Sequence, residues 1–162
     1  MRLVLLRHGE ASFDSPSDAL RPLTEKGQLE VRTSLDQYFA LQARHSMSAP
    51  AIHLCVSPLL RARQTCELAS AAITAERASS LQEGLDWLLP STDLAKCIAG
   101  IESLKIDNDV QLWLVAHNPL LSKLWSFLTE GDTYSLQLMT GQIVELECDW
   151  LGAGCANVMY QS

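Results

Sequence analysis

Leu3-Val4-Leu5-Leu6-Arg7-His8-Gly9 is the stretch of sequence that decides the fold. Its four apolar residues are continuous and do not alternate with polar ones, so they predict a strand buried on both faces, as in a parallel sheet. In an open α/β sheet, ligands bind beyond the carboxyl ends of the strands. A guanidinium at that place can hold a phosphate through two hydrogen bonds, and a neutral imidazole beside it can attack phosphorus or carry a proton. The stretch therefore predicts an α/β fold with a candidate phosphate site at the end of the first strand.

The length and composition of the chain favour one α/β domain over residues 1–162. The 162 residues are 48% hydrophobic and 6% aromatic, and a chain of this size buries roughly two thirds of its unfolded surface. No apolar run approaches the ~20 residues of a membrane-spanning helix, and the run at 3–6 is too short for the core of a signal peptide. The five cysteines include no Cys-x-x-Cys motif. We therefore expect reduced cysteines that pack in the core, a cytoplasmic location, and neither a metal site nor a cofactor.

The charge of the chain bears on its partners. The formal net charge is −7, which argues against nucleic acid, because nucleic-acid binding depends on a basic surface that neutralises phosphates. We also expect no membrane partner. A small phosphate group is still compatible, since a few Arg side chains in a cleft create a local positive field and distant charges are screened beyond ~8–10 Å.

Strands and helices are predicted to alternate along the chain. After the polar, turn-rich loop at 10–22, Thr24 is a candidate helix N-cap with Glu25 in the first turn. The predicted strands are 3–6, 52–56, 111–116, 142–148 and 156–160, with a short strand or loop near 81–85; the predicted helices are 24–44, the segment from 57 onward, 92–104 and 120–128. This alternation predicts a three-layer αβα sandwich, in which helices cover both faces of a mostly parallel central sheet.

Three strand-to-helix junctions carry the polar residues of interest. They are Arg7-His8-Gly9, the segment 57–61, and His117-Asn118-Pro119. If the strands are parallel, all three junctions lie at one edge of the sheet. Ser57 and Asn118 each precede a Pro, so both are candidate helix N-caps. Helix N-termini favour anions, and the edge therefore offers two Arg, two His and two helix N-termini to a tetrahedral oxyanion.

Four sequence blocks resemble the histidine phosphatase superfamily, also called phosphoglycerate mutase-like, and most of all its small SixA-type phosphohistidine phosphatases. The blocks occur in the family's order along nearly the whole chain. They are Leu-Leu-Arg-His-Gly-Glu-Ala at 5–11, Arg-Pro-Leu-Thr-Glu-Lys-Gly at 21–27, Ser-Pro-Leu-Leu-Arg-Ala-Arg-Gln-Thr at 57–65, and Val-Ala-His-Asn-Pro at 115–119. The resemblance implies a metal-independent phosphatase that forms a phosphohistidine enzyme intermediate.

The resemblance also implies roles for the residues that match its motifs. His8 would be the nucleophile, while Arg7, Arg61 and His117 would bind the phosphoryl oxygens and stabilise the transition state. Gly9 would allow a close approach of the backbone, and a nearby carbonyl would hold the second nitrogen of His8.

Two further residues are candidates for substrate binding, and one position of the motif has a competitor. Arg21 would join the rim of the pocket, with a purely structural salt bridge as the alternative. Asn118 is a further candidate substrate-binding residue. Arg61 competes with Arg63 for the phosphate, and the helix geometry and the motif favour Arg61.

Glu83 is the candidate proton donor, although the chain is short where larger family members place their acid. An alkoxide leaving group needs protonation, whereas imidazole, with a pKa of roughly 6.5, needs much less help. A weak or absent acid therefore favours phosphohistidine over a phosphate ester. The expected partner is a phosphotransfer protein that carries phosphohistidine. The alternatives are an enzyme of the same superfamily acting on small phosphate esters, and a non-catalytic phosphoprotein-binding module.

Overall fold

A computed structural model describes residues 1–45, 50–73 and 79–162 of the chain. Its centre is one six-stranded sheet in the order β3-β2-β4-β1-β5-β6. The strands are β1 (Arg2–Arg7), β2 (Ala51–Val56), β3 (Ser79–Gln82), β4 (Val110–Ala116), β5 (Ile143–Cys148) and β6 (Ala156–Gln161). The α-helices are α1 (Glu25–His45), α2 (Leu60–Ala72), α3 (Leu94–Ser103) and α4 (Leu120–Glu130), and two short 3₁₀ helices cover Asp18–Leu20 and Asp86–Leu88.

The sheet is mixed. The four strands β3, β2, β4 and β1 are parallel, while β5 pairs antiparallel with β1 and β6 pairs antiparallel with β5. After α4, the segment 131–142 returns the chain to the carboxyl end of β1, where the Arg7 amide donates to the Gln142 carbonyl over 3.2 Å. β5 must therefore run back down the sheet in the opposite direction. The predicted α/β class is confirmed, with three parallel pairings against two antiparallel ones.

Two hydrophobic cores lie on opposite faces of this sheet, and they explain why the first strand is apolar throughout. Leu3 and Leu5 pack with α3 and α4, whereas Val4 and Leu6 pack with α1 and α2. All four side chains are fully buried. Since each buried aliphatic side chain contributes about 1.5–3 kcal/mol, β1 is anchored from both sides, and the residues that follow it are held in place.

The three predicted helix caps have different outcomes. Thr24 is a cap, because its Oγ1 accepts a hydrogen bond from the Gly27 amide over 3.0 Å. The cap predicted at Ser57 is wrong: the Ser57 amide still pairs with the Val115 carbonyl of the sheet, and α2 begins only at Leu60. The cap predicted at Asn118 is also wrong, since α4 begins at Leu120 and its start has no side-chain cap. The Ser57 hydroxyl bonds to His117, and the Asn118 side chain bonds to the Leu138 carbonyl and to the Ser122 hydroxyl, so neither side chain caps a backbone amide of its helix.

The cysteines and the helices bear on two further expectations. Each of the five cysteines is free, and Cys55, Cys66, Cys97 and Cys148 are buried, which agrees with the predicted packing role. Among the helices that the structure describes, none has the length and hydropathy that crossing a membrane requires.

Candidate active site

Arg7 is the last residue of β1, and a hydrogen bond to a backbone carbonyl fixes its guanidinium. Its Nη1 donates to the Leu138 carbonyl over 2.7 Å. Its Nε is buried and has no partner among the described residues. Burial lowers the pKa of Arg7 from its ordinary value, and the Glu30 carboxylate partly opposes this. A buried donor without a partner is rare and calls for an explanation. Arg7 Nε is therefore a candidate donor to an anion.

His8 follows directly and is oriented by its own backbone neighbour. Its Nδ1 lies 2.6 Å from the Gly9 carbonyl, and since a carbonyl can only accept, Nδ1 carries the proton and Nε2 carries the lone pair. Burial lowers the pKa of His8 to about 4. The positive charges of Arg61 and Arg7 lower it as well, while the hydrogen bond to Gly9 raises it. The imidazole is therefore neutral at pH 7, the state in which it is a nucleophile.

Gly9 allows a close backbone approach, and the structure identifies what approaches it. A Cβ atom at Gly9 would overlap the Gly27 carbonyl, and a Cβ at Gly27 would overlap the Glu10 backbone. The start of α1 therefore packs directly on the backbone that follows His8, where no side chain fits. The Gly9 amide also donates to Thr65 Oγ1 over 3.4 Å, which ties this segment to α2. Contact of Gly9 with a substrate stays a prediction.

His117 lies beside His8 at the end of β4, with 4.9 Å between the two ring centroids. Its side chain is only 1% exposed, and a hydrogen bond of 2.7 Å joins its Nε2 to Ser57 Oγ. Burial lowers the pKa of His117 far below its ordinary value, helped by His8 and Arg61, so the ring is neutral. Its Nδ1 is buried without a partner among the described residues. If the Ser57 hydroxyl donates to Nε2, then Nδ1 carries the ring hydrogen and can donate a hydrogen bond to an oxyanion.

Arg61 is the second residue of α2, which confirms its predicted place in the first turn. It is only 5% exposed, and it is held by the 3₁₀ segment before Arg21. Nη1 donates to the Asp18 carbonyl over 2.7 Å, and Nη2 donates to Asp18 Oδ2 over 3.2 Å. Arg63, two residues further along, is exposed to solvent. The burial of Arg61 agrees with the choice of this residue over Arg63.

Arg21 forms the structural salt bridge that the sequence left as an alternative. Its Nη1 lies 3.1 Å from Asp18 Oδ1, its Nε and Nη2 donate to the carbonyls of Ser12 and Ala11, and its guanidinium stacks 3.9 Å from the centre of the Phe13 ring. The charge of Arg21 is also among those that lower the pKa of His8. Arg21 therefore holds the 10–22 loop together beside the site, and its binding to a substrate stays a prediction.

Asn118 joins two segments near the site. Its Nδ2 donates to the Leu138 carbonyl over 2.9 Å, and its Oδ1 accepts from Ser122 Oγ over 2.7 Å. Because Arg7 donates to the same carbonyl, Asn118 fixes the loop against which Arg7 rests. Direct binding of substrate by Asn118 stays a prediction.

Glu83 is not joined to the other candidates. It follows β3, an edge strand that β2 and β4 separate from β1, which corresponds to about 14 Å along the sheet at the ordinary strand spacing. Its side chain is exposed. Within residues 1–45, 50–73 and 79–162 no hydrogen bond or ion pair links it to His8, Arg7, Arg61 or His117. A role for Glu83 as an acid stays a prediction, and the geometry gives it little support.

Sequence reasoning missed two residues that hold the site and misassigned a third. Asp18 bonds to both Arg61 and Arg21, and the Leu138 carbonyl accepts from Arg7 and Asn118; Ser57, assigned as a cap, bonds to His117. The i,i+3 spacing of Asp18 and Arg21 is a usable signal for the first. A backbone carbonyl in a loop leaves no such signal. In the part of the chain that the structure describes, no group of three or more His, Cys, Asp or Glu side chains is placed to hold a metal ion.

Comparisons with known proteins agree with this geometry. No protein-family model matches the chain. Phosphohistidine phosphatase SixA of Escherichia coli (strain K12) is 29% identical over 157 residues, which cover 97% of this chain and 91% of that protein. A solved structure of the protein histidine phosphatase SixA complexed with tungstate superposes with a TM-score of 0.77 at 27% identity, covering 99% of this chain and 96% of the other. The chain belongs to the histidine phosphatase superfamily.

The chain is a phosphatase, as the four sequence blocks predicted, and the similarity to SixA supports this. The similarity runs along almost the whole chain. An uncharacterized protein of Picosynechococcus sp. (strain ATCC 27264 / PCC 7002 / PR-6) is 34% identical over 149 residues, covering 90% of this chain and 84% of that protein.

Proposed function

We propose that this histidine phosphatase removes the phosphoryl group from phosphohistidine on a partner protein, with His8 as the nucleophile. One observation carries the proposal: a neutral imidazole with its Nε2 lone pair free stands among buried nitrogens that lack partners. Four buried side-chain atoms lack a partner in the described residues, and two of them, Arg7 Nε and His117 Nδ1, belong to this cluster. Buried donors of this kind favour an oxyanion.

The first chemical step is attack of His8 Nε2 on phosphorus. The new P–N bond forms as the bond between phosphorus and the leaving nitrogen breaks, and the bonding electron pair returns to the leaving imidazole. Arg7, Arg61 and His117 hold the equatorial oxygens and stabilise their charge, because a loose phosphoryl-transfer transition state needs mainly positioning and electrostatics. The hydrogen bond from Nδ1 to Gly9 O keeps the proton on the far side of the His8 ring, which leaves Nε2 aimed at phosphorus.

The second step is hydrolysis of the phosphorylated His8. Water attacks phosphorus, the P–N bond to His8 Nε2 breaks, and its electron pair returns to the ring. The water oxygen becomes part of inorganic phosphate, and a proton of that water is released to solvent. The ring ends neutral, as it began.

The identity of the leaving group follows from the carboxylates at the site. Asp18 is the carboxylate hydrogen-bonded to the cluster within the described residues, and its hydrogen bonds from Arg21 and Arg61 hold its pKa below the ordinary value. An ionised carboxylate donates no proton. A site without an acid suits an imidazole leaving group far better than an alkoxide. The name of the E. coli relative, a phosphohistidine phosphatase, points the same way, and the tungstate in the SixA structure is a tetrahedral oxyanion like phosphate.

The experiment measures kcat/KM for three substrates: a phosphohistidine protein domain, an aryl phosphate and an alkyl phosphate such as glycerol phosphate. The wild type is compared with Glu83→Gln, and Glu102→Gln serves as a matched control for loss of an exposed carboxylate. We expect the phosphohistidine domain and the aryl ester to react well and the alkyl ester poorly. Glu83→Gln is expected to leave phosphohistidine turnover unchanged.

A different result would assign the enzyme to small phosphate esters. If the alkyl ester is hydrolysed as efficiently as the phosphohistidine domain, and Glu83→Gln abolishes that activity, then Glu83 is an acid and the proposed substrate is wrong. If neither phosphohistidine nor any ester is turned over while the domain still binds, the chain is a binding module.

A further inference from the structure

Asp18 lies beside Arg61 at the solvent-exposed edge of the cluster. It begins the 3₁₀ segment Asp18–Leu20, its Oδ2 accepts from Arg61 and its Oδ1 accepts from Arg21. The Asp18 side chain is 61% exposed, while that of Arg61 is 6% exposed. The carboxylate therefore lies at the boundary between the buried guanidinium and solvent.

The Asp18 carboxylate can accept more hydrogen bonds than the side chains around it donate. A carboxylate offers about four lone-pair sites, and side-chain donors occupy one on each oxygen. The groups that face Asp18 are cationic or neutral: Arg61 from α2, Arg21 from its own loop, and His117 from the end of β4, whose pKa feels the Asp18 charge. Asp18 is accordingly ionised at neutral pH and can accept further hydrogen bonds from a ligand.

The chemistry of the leaving group requires an acceptor of this kind. When the P–N bond of phosphohistidine breaks, the electron pair returns to the ring nitrogen that held phosphorus. If the other ring nitrogen already carries a proton, the product is neutral imidazole; if it does not, the product is the much less stable imidazolate. The protonated ring is a cation, and a neighbouring carboxylate stabilises it.

We propose that Asp18 accepts a hydrogen bond from the N–H of the substrate's phosphorylated imidazole, on the ring nitrogen opposite phosphorus, and so keeps that ring protonated as the P–N bond breaks. The proton stays on the leaving imidazole, so no acid is required. This inference rests on the proposed function, because it applies only to a nitrogen-linked phosphate. It makes Asp18 a catalytic residue that distinguishes phosphohistidine from phosphate esters, whose leaving oxygen offers no such N–H.

The test compares the wild type with Asp18→Asn on two probes, a phosphohistidine peptide and an aryl phosphate, from about pH 5 to about pH 9. Asn preserves the size of the side chain and one oxygen acceptor but removes the charge. The ratio of wild-type to variant kcat/KM is plotted against pH for each probe. Asp14→Asn is the matched control, since Asp14 is exposed on the same loop and its side chain bonds to none of the arginines that the structure describes.

On phosphohistidine we expect the ratio to rise with pH and to reach about tenfold. The reason is that a carboxylate which raises the pKa of the substrate ring by one unit increases the protonated population of that ring about tenfold at high pH. On the aryl phosphate the ratio should not change with pH, because any effect of the lost contact with Arg61 acts there at every pH alike. The Asp14→Asn ratio should stay flat on both probes.

Two outcomes would overturn the inference. If Asp18→Asn lowers both activities equally at every pH, Asp18 only positions Arg61, and if it changes neither activity, Asp18 does not meet the substrate. Failure of the proposed function is a separate result, because it appears in the wild type alone as a lack of turnover on the phosphohistidine peptide.

Discussion

The two ends of β1 differ in how fully the buried polar groups around them are paired. At the amino end, Arg2 forms a salt bridge with Glu145, which is 1% exposed. Glu145 Oε1 also accepts from Gln111 over 2.8 Å, and Oε2 accepts from Tyr38 over 3.1 Å and from Gln42 over 2.8 Å. Every charged group in this network has an opposite charge or a hydrogen-bond partner.

At the carboxyl end, five residues further along the same strand, the cations are only partly compensated. Arg7, Arg61 and the two imidazoles share one small volume, and Asp18 at the boundary is the carboxylate that bonds to them among the described residues. Arg7 Nε and His117 Nδ1 have no hydrogen-bond partner within residues 1–45, 50–73 and 79–162.

The difference separates structure from function. A buried charge that is paired and hydrogen-bonded supports the fold, and removing one partner destabilises it. A cluster of like charges with unused donors costs folding free energy, and it persists where an anionic substrate supplies the missing partner. Arg2 and Arg7 are the same residue type on one strand, so their surroundings alone distinguish them.

The largest effect is expected at the carboxyl end. Arg7→Ala, Arg61→Ala and His117→Ala should each lower kcat/KM on an aryl phosphate by about 10²–10³-fold, as loss of an oxyanion donor does. Arg63→Ala is the matched control on α2 and should cost far less. Equal losses for Arg61→Ala and Arg63→Ala would refute the assignment of Arg61.

At the amino end the same kind of change should act on stability. Glu145→Ala removes the carboxylate that four groups share, and we expect it to lower the free energy of unfolding by roughly 3 kcal/mol, the lower end of the range for a broken buried ion pair. Urea denaturation measures the loss, and kcat per folded molecule should be unchanged. Glu147→Ala, at an exposed position of the same strand, should lower stability by much less. A fall in kcat with stability unchanged would remove the distinction between the two ends.

How far the sequence predicts each end depends on how local its signals are. The continuous apolar run of β1 and the motifs after β1, β2 and β4 predict the parallel sheet and the cluster of His8, Arg7, Arg61 and His117, because parallel strands bring their carboxyl ends to one edge. Ser57 illustrates the limit. A Ser before a Pro is typical of a cap, but here the Ser57 amide still pairs with β4. Its hydroxyl bonds to His117, a contact between positions 60 residues apart.

Loops set the remaining features, and their long-range contacts have no periodicity to reveal them. Asp18 meets Arg61 only because the 10–22 loop folds across the start of α2, and Leu138 meets Arg7 only because the segment 131–142 returns to the site. Glu145 lies within an apolar strand, where the sequence pattern alone assigns it no partner. Its four partners come from three separate elements, β1, α1 and β4.

A smaller effect concerns pH. The pKa of His8 is about 4 in the folded protein and about 6.5 in the unfolded chain, so between these values the unfolded state binds the proton more readily. The His8 contribution is therefore fully present above pH 6.5 and is lost as the pH falls towards 4. We expect the free energy of unfolding of the wild type to drop over this range by on the order of 2 kcal/mol more than that of His8→Asn. Denaturation series at several pH values measure it, and parallel curves for the two proteins would contradict the low pKa of His8.

The central claim is that the phosphoryl group passes through His8, and trapping the phosphoenzyme tests it most directly. A reaction with a labelled, activated phosphoramidate is quenched rapidly, and the adduct is mapped by digestion. The account predicts an acid-labile, base-stable adduct on the peptide that contains His8, absent in His8→Ala and retained in His53→Ala, whose ring bonds to Ser80 far from the cluster. Formation of the same adduct by His8→Ala at the wild-type rate would contradict the claim.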